Sequence, residues 1–152
     1  MRIVFFFLFL LLASCGENNI SGPVEIRYGQ DMCERCKMII SEERFSAQLI
    51  LNSRNIYKFD DIGEMILYAS ESKISPETSE MYVKDFDTGK WLASDEAIYV
   101  TVENIKTPMD FGIVALSDKK SADETASEYG GKVIGKFADA QRLLENGGRS
   151  RR

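Results

Sequence analysis

From Phe45 onward the chain runs twice through the same order of local patterns, and this repetition limits the folds open to it. Phe45 to Leu51 is apolar-rich and reads as a strand, Asn52-Ser53-Arg54-Asn55 as a turn, and Ile56 to Phe59 as the returning strand. Asp60-Asp61 then precedes Ile62, Met65, Ile66 and Ala69, apolar positions at the three- and four-residue spacing of one helix face. The acidic pair reads better as a helix cap, where a carboxylate accepts backbone N–H bonds, than as a docking patch for a basic partner. Met81 to Phe86 is another strand, and Asp87-Thr88-Gly89 a turn before Lys90-Trp91-Leu92. The second pass opens with the strand Ala97 to Val102 and the loop Glu103 to Asp110, followed by the compact apolar strand Phe111 to Leu116. Asp118 to Tyr129 is helical in composition and stops at Gly130-Gly131; Lys132 to Ile134 is a short strand. A last helix, Phe137 to Glu145, carries Phe137, Ala140, Leu143 and Leu144 on one face. Two successive ββαβ-like units predict a single small α+β domain.

The ends of the chain read differently. Met1-Arg2 supplies one early positive charge, Ile3 to Leu12 is unbroken apolar sequence, and Leu12-Ala13-Ser14-Cys15 leads through small residues to a cysteine. That order describes an export signal over residues 1–14, and its apolar run is too short for a membrane span of roughly 20 residues. The Leu-Ala-Ser-Cys ending resembles a bacterial lipobox, which makes Cys15 the expected lipidation site. Residues 15–30 read as the lipidated N-terminus and a flexible linker rich in Gly, Asn, Ser and Pro, residues 31–146 as the domain, and residues 147–152 as a basic disordered tail.

The formal charge is −5, and there is no histidine. A mildly acidic surface argues against nucleic acid as a partner, because phosphate binding needs a basic face. With Cys15 assigned to lipid, only Cys33 and Cys36 remain, spaced C-x-x-C. A bridge across so small a loop stabilises little by the chain-entropy argument, so the pair reads as chemical rather than structural.

The segment Asp31-Met32-Cys33-Glu34-Arg35-Cys36-Lys37-Met38 places two thiols and a thioether within six residues. Soft sulfur donors favour monovalent copper, and thiolates also suit zinc. A closed zinc site wants four ligands, commonly from a second C-x-x-C or a pair of histidines, and this sequence has neither. Copper(I) accepts two or three donors, including methionine, so it is the better match to the ligand supply. Met65 and Met81 fall on apolar faces and read as packing residues; Met32 reads either way. Met109, in the Thr107-Pro108-Met109 turn, reads from the residues alone as a loop residue folded onto the core. Trp91 reads as a core or rim aromatic rather than a ligand shield. A C-x-x-C pair has a redox reading as well, but such enzymes place it after a strand at a helix start, and nothing upstream here has that pattern.

Three stretches taken in order resemble the NosL family of lipoproteins: Cys33/Cys36/Met38, then Phe59-Asp60-Asp61-Ile62-Gly63-Glu64-Met65, then Thr107-Pro108-Met109 with Gly112-Ile113-Val114-Ala115. Asp87-Thr88-Gly89-Lys90-Trp91-Leu92 and Ala97-Ile98-Tyr99-Val100 fit the same pattern between them. The resemblance implies two ββαβ units and a periplasm-facing copper(I) chaperone, lipid-anchored in the bacterial envelope. It also implies a partner in nitrous oxide reductase, or another copper enzyme, and its assembly transporter. It raises Met109 to a metal donor, so the expected set is Cys33, Cys36, Met38 and Met109, with Cu(I) as cargo and no catalysis. Two departures stand out. Lys37 occupies a position where the family often has glycine, and Asp110 stands where glycine is usual after Thr-Pro-Met. Some members also use a histidine donor, so the set here must be sulfur-dominated, completed by a carboxylate or water. The rival readings are a periplasmic thiol oxidoreductase using Cys33 and Cys36, and a metal-independent assembly adaptor.

Overall fold

The structure is a computed structural model that describes residues 22–149 apart from Ser53. The expected export signal over residues 1–14, the expected lipidation site Cys15 and the end of the stretch read as a basic tail lie outside the described residues. Among the described residues, seven strands and three helices follow the expected order: β1 (Ala47–Asn52), β2 (Asn55–Phe59), α1 (Ile62–Glu71), β3 (Glu80–Lys84), β4 (Trp91–Ala93), β5 (Ile98–Thr101), β6 (Ile113–Leu116), α2 (Lys119–Glu128), β7 (Val133–Gly135) and α3 (Phe137–Arg149). Phe45, expected in the first strand, instead closes a short 3₁₀ turn over Glu43–Phe45.

The two passes through the sequence fold alike. In the first, β1 is central, pairing antiparallel with β2 on one side and β3 on the other; in the second, β5 holds that place between β6 and β7. β4 extends the first sheet beyond β3, giving the order β2-β1-β3-β4 against β6-β5-β7. The fold is therefore α+β, built from two ββαβ units with β4 and α3 added.

Side-chain alternation along the strands explains how the units share a core. Successive residues of a strand face opposite sides of the sheet. On β6, Ile113 and Ala115 enter the main core with Ile62, Met65, Ile66 and Ala69 of α1, Leu49 of β1 and Phe137 and Ala140 of α3. Val114 and Leu116 face the other way, into a smaller core with Phe45, Phe86, Val100 and Ala122 of α2. Each fully buried Ile or Met on α1 contributes about 1.5–3 kcal/mol by removal from water, which fixes that helix between the two sheets.

A buried carboxylate, Asp85, helps to fasten one unit to the other. Asp85, just past β3, forms a parallel bridge with Ala115 of β6. Its Oδ1 accepts from the Asp87 and Thr88 amides and the Thr88 hydroxyl, and its Oδ2 accepts from the Ser117 amide at 2.9 Å. Burial works to raise its pKa, but the donors on Thr88 and Ser117 outweigh it and hold the carboxyl below its ordinary value.

Residues 22–30, which composition reads as linker, lie against the first sheet. Val24 exchanges two hydrogen bonds with the Gln48 side chain on β1, and Gly29 N–H donates to Ile40 O. At the other end α3 continues to Arg149, into the stretch read as tail. Lys37 and Asp110, the two departures from glycine, have φ of 62° and 61°. Both sit in the left-handed region that glycine enters without steric cost, so the backbone keeps the conformation that glycine would favour.

Two stability predictions follow from these contacts. Asp85→Ala leaves several buried donors unsatisfied and is expected to lower unfolding free energy by roughly 2–3 kcal/mol in urea titrations; wild-type stability would remove Asp85 from the junction. Lys37→Gly relieves the positive-φ strain and is expected to stabilise the chain by about 0.5–1 kcal/mol, net of the greater freedom of the unfolded glycine. A loss of stability in the same titration would contradict that account.

Candidate metal centre

The cysteine segment folds as a tight hairpin outside the two sheets. Met32 and Ile39 form an isolated antiparallel bridge, Cys33 N–H donates to Met38 O at 2.8 Å, and Lys37 N–H donates to Cys33 O at 3.1 Å. The left-handed backbone at Lys37 supplies the reversal. At the mouth of the hairpin, Asp31 takes hydrogen bonds from Lys58 and Arg27, and the Lys58 ammonium beside it holds its carboxyl well below the usual range.

Further contacts dock the hairpin on the first unit. Glu34 N–H donates to Lys58 O on β2 at 2.8 Å. Arg35, between the cysteines, reaches Glu64 Oε1 at 2.8 Å and Glu71 Oε1 at 2.9 Å, both on α1. The cysteines are thus pressed against the start of α1. Cys33 is wholly buried and Cys36 partly so, and both are free thiols.

Two carboxylates complete the site. One ligand atom each from Cys33, Cys36 and Glu64 lie within 4.8 Å of one another. The Cys36 thiol donates to Asp60 Oδ2 at 3.4 Å. Asp60 Oδ1 and Glu64 Oε2 are buried without a hydrogen-bond partner among the described residues. A buried carboxylate oxygen without a donor is costly, so it marks a place suited to a cation. Burial pushes the Cys33 thiol up to about 12 and raises Cys36 as well. Burial also raises Glu64, against the opposing pull of Arg35. At neutral pH both thiols therefore keep their protons, and a cation would be needed to draw them off.

The acidic dipeptide divides its work. Asp61 caps α1 as expected, its Oδ1 accepting from Gly63 N–H at 2.9 Å. Its Oδ2 accepts from the Met109 amide at 3.1 Å, joining the loop of the second unit to the helix start of the first. Burial raises its pKa, opposed by the Thr107 hydroxyl and the Gly63 and Met109 amides. Asp60, the other half of the pair, takes no part in the cap and faces sulfur.

The expected donors therefore fall into different settings. Cys33 and Cys36 come together; Met109 is brought to Asp61 through its backbone, with its side chain half-buried; Met38 lies on the hairpin with 55% of its surface exposed. Met65 and Met81 are core residues. Glu64 is the residue that sequence reasoning passed over. Asp61-Ile62-Gly63-Glu64 has the spacing of a capping box, in which the glutamate would turn back to its own helix end. Here Arg35 pairs with it instead, and only docking of the hairpin places Glu64 beside sulfur.

No curated protein sequence matches this chain. Among solved structures, it is similar to the crystal structure of the copper chaperone NosL from Shewanella denitrificans, with a TM-score of 0.63 and 20% identity over 73% of this chain and 90% of the other. At that identity the likeness speaks to the fold. A family model for NosL matches residues 23–143, from the strand of chain beside Gln48 through most of α3 and across every part of the site. The chain belongs to the NosL family.

Proposed function

We propose that this protein is a copper carrier that holds copper(I) on Cys33 and Cys36 and hands it to another protein. The observation that carries the reading is the pair of free thiols on the hairpin packed against α1, one fully buried, beside two buried carboxylate oxygens with no donor among the described residues. Family membership and the likeness to the copper chaperone NosL of Shewanella denitrificans support copper as the cargo. Two thiolates suit the softer oxidation state, and a low coordination number leaves a position open to an incoming ligand. Met109 or Met38 supplies a weaker thioether donor. Glu64, whose ligand oxygen lies within 4.8 Å of both sulfurs, is an available oxygen donor beside the bound ion.

Delivery is then ligand exchange without bond chemistry: acceptor ligands displace the thioether first and the thiolates afterwards. The acceptor we propose is nitrous oxide reductase or a related envelope copper enzyme, with its assembly transporter as a further partner. Among the described residues no helix is long and apolar enough to cross a membrane. We propose that lipid on Cys15 holds the carrier to the membrane with the domain facing the periplasm.

The geometry favours carriage over thiol–disulfide catalysis. Exchange enzymes lower a thiol's pKa, typically at a helix N-terminus. Cys33 and Cys36 sit instead in a hairpin turn, and burial raises both thiols. A high pKa slows attack on disulfides but does not prevent a tightly bound metal from displacing the proton.

The reduced full chain is expected to bind about one copper(I) per molecule in competition with a colorimetric chelator. Cys33→Ser with Cys36→Ser should abolish binding, whereas Met81→Leu should leave it nearly unchanged. Retention of copper by the double serine variant would end the carrier reading. Affinity has a definite pH sign. Both thiols are protonated at neutral pH and must ionise to bind, so loading releases protons and tightens as pH rises, by roughly tenfold per pH unit for each proton released. An apparent Kd independent of pH from mildly acidic to neutral conditions would mean that the thiols are not the ligands.

A further inference from the structure

A residue that only caps α1 would need one oxygen; Asp61 is fully buried and uses both. Its second oxygen reaches across 48 positions of sequence to the amide of Met109, and Thr107, in the same loop, is almost wholly buried beside it. The loop is pinned on its far flank as well. A Cβ at Gly63, in the first turn of α1, would lie 2.4 Å from the Phe111 ring, so the ring fills the space that a side chain would take. Gly112 has φ of +62°, and a Cβ there would come within 2.7 Å of Val102 O. Gly112 N–H also donates to Thr107 Oγ1 at 3.2 Å, closing the loop on itself. Asp60, the neighbour of Asp61, receives the Cys36 thiol. A continuous series of contacts therefore runs from Cys36 through Asp60 and Asp61 to Met109.

Resting on the copper-carrier reading, we propose that Asp61 is a positioning residue for Met109. Its carboxylate clamps the 107–112 loop of the second unit onto α1 of the first, so that the thioether is presented to metal held by Cys33 and Cys36. Asp61 touches no cargo; it acts through the loop. The site is thereby assembled from both ββαβ units, and its thioether donor depends on a hydrogen bond between them.

Asparagine separates this role from capping. It serves as an N-cap about as well as aspartate does, so Asp61→Asn keeps an oxygen for Gly63. It then sets an NH₂ group against the Met109 N–H, donor facing donor. The experiment uses the reduced full chain loaded with copper(I), in the wild type, Asp61→Asn, Met109→Leu and the double variant. Affinity is read by chelator competition, and sulfur donors are counted by X-ray absorption. Asp61→Asn is expected to weaken binding by about tenfold, the scale seen when partners outside the ligand set are removed, and Met109→Leu by at least as much. Each should lose one sulfur from the copper shell, and the double variant should be no weaker than Met109→Leu alone. Wild-type sulfur count and affinity in Asp61→Asn would overturn the proposal, as would losses that add in the double variant. If Asp61→Asn does not fold, Thr107→Val, which removes the hydroxyl partner in the loop, is judged by the same loss of a sulfur. Should wild type bind copper through its cysteines while Met109→Leu is indistinguishable from it, this inference falls and the carrier reading stands. Failure of the wild type to bind copper(I) would bring down both.

Discussion

Burying two consecutive carboxylates where β2 passes into α1 sets the terms for the rest of the site. Neither Asp60 nor Asp61 reaches solvent, and a buried carboxylate is tolerated only where donors or a cation face it. Asp61 meets that demand with backbone amides from its own helix and from the β5–β6 loop. Asp60 meets it in part, with the Cys36 thiol on one oxygen and no donor among the described residues on the other. That division makes one residue an architectural joint and leaves its neighbour pointed at the sulfur pair.

Glu64 adds to the same demand one helical turn further on. Its pairing with Arg35 brings the residue between the cysteines down onto α1, so the salt bridge locates the hairpin as well as compensating charge. Breaking such a pair from one side strands the other charge in a buried setting, which is far more costly than losing an exposed ion pair. The arrangement therefore resists displacement of the hairpin while leaving Cys36 partly open to solvent.

Much of the architecture was legible in the residues because the relevant signals are local. The spacing of Ile62, Met65, Ile66 and Ala69 marks α1, Asp61 and Asp118 mark helix starts, and Gly130-Gly131 marks the end of α2. The doubled ββαβ order could be read without knowing any strand partner. What escaped was whatever depends on two distant segments meeting. Glu64 looks like half of a capping box until Arg35 arrives from the hairpin. Asp85 reads as a residue of the Met81–Phe86 strand until Ser117 donates to it from beyond β6. The donor candidates divide along the same line: Cys33 and Cys36 are neighbours in sequence and in space, whereas the setting of Met109 is decided by a residue of the other unit.

The alternation along β6 has a consequence for how the methionine loop can vary. Ile113 and Ala115 belong to one core while Val114 and Leu116 belong to the other, so that strand has no spare face. Inserting or deleting one residue between Met109 and Ile113 would turn every side chain of β6 to the opposite side. Phe111 and Gly112, each fitted closely to a neighbour, would be carried out of place by the same step. The loop that carries Met109 can thus change by substitution, while its length is constrained by the parity of the strand that follows it.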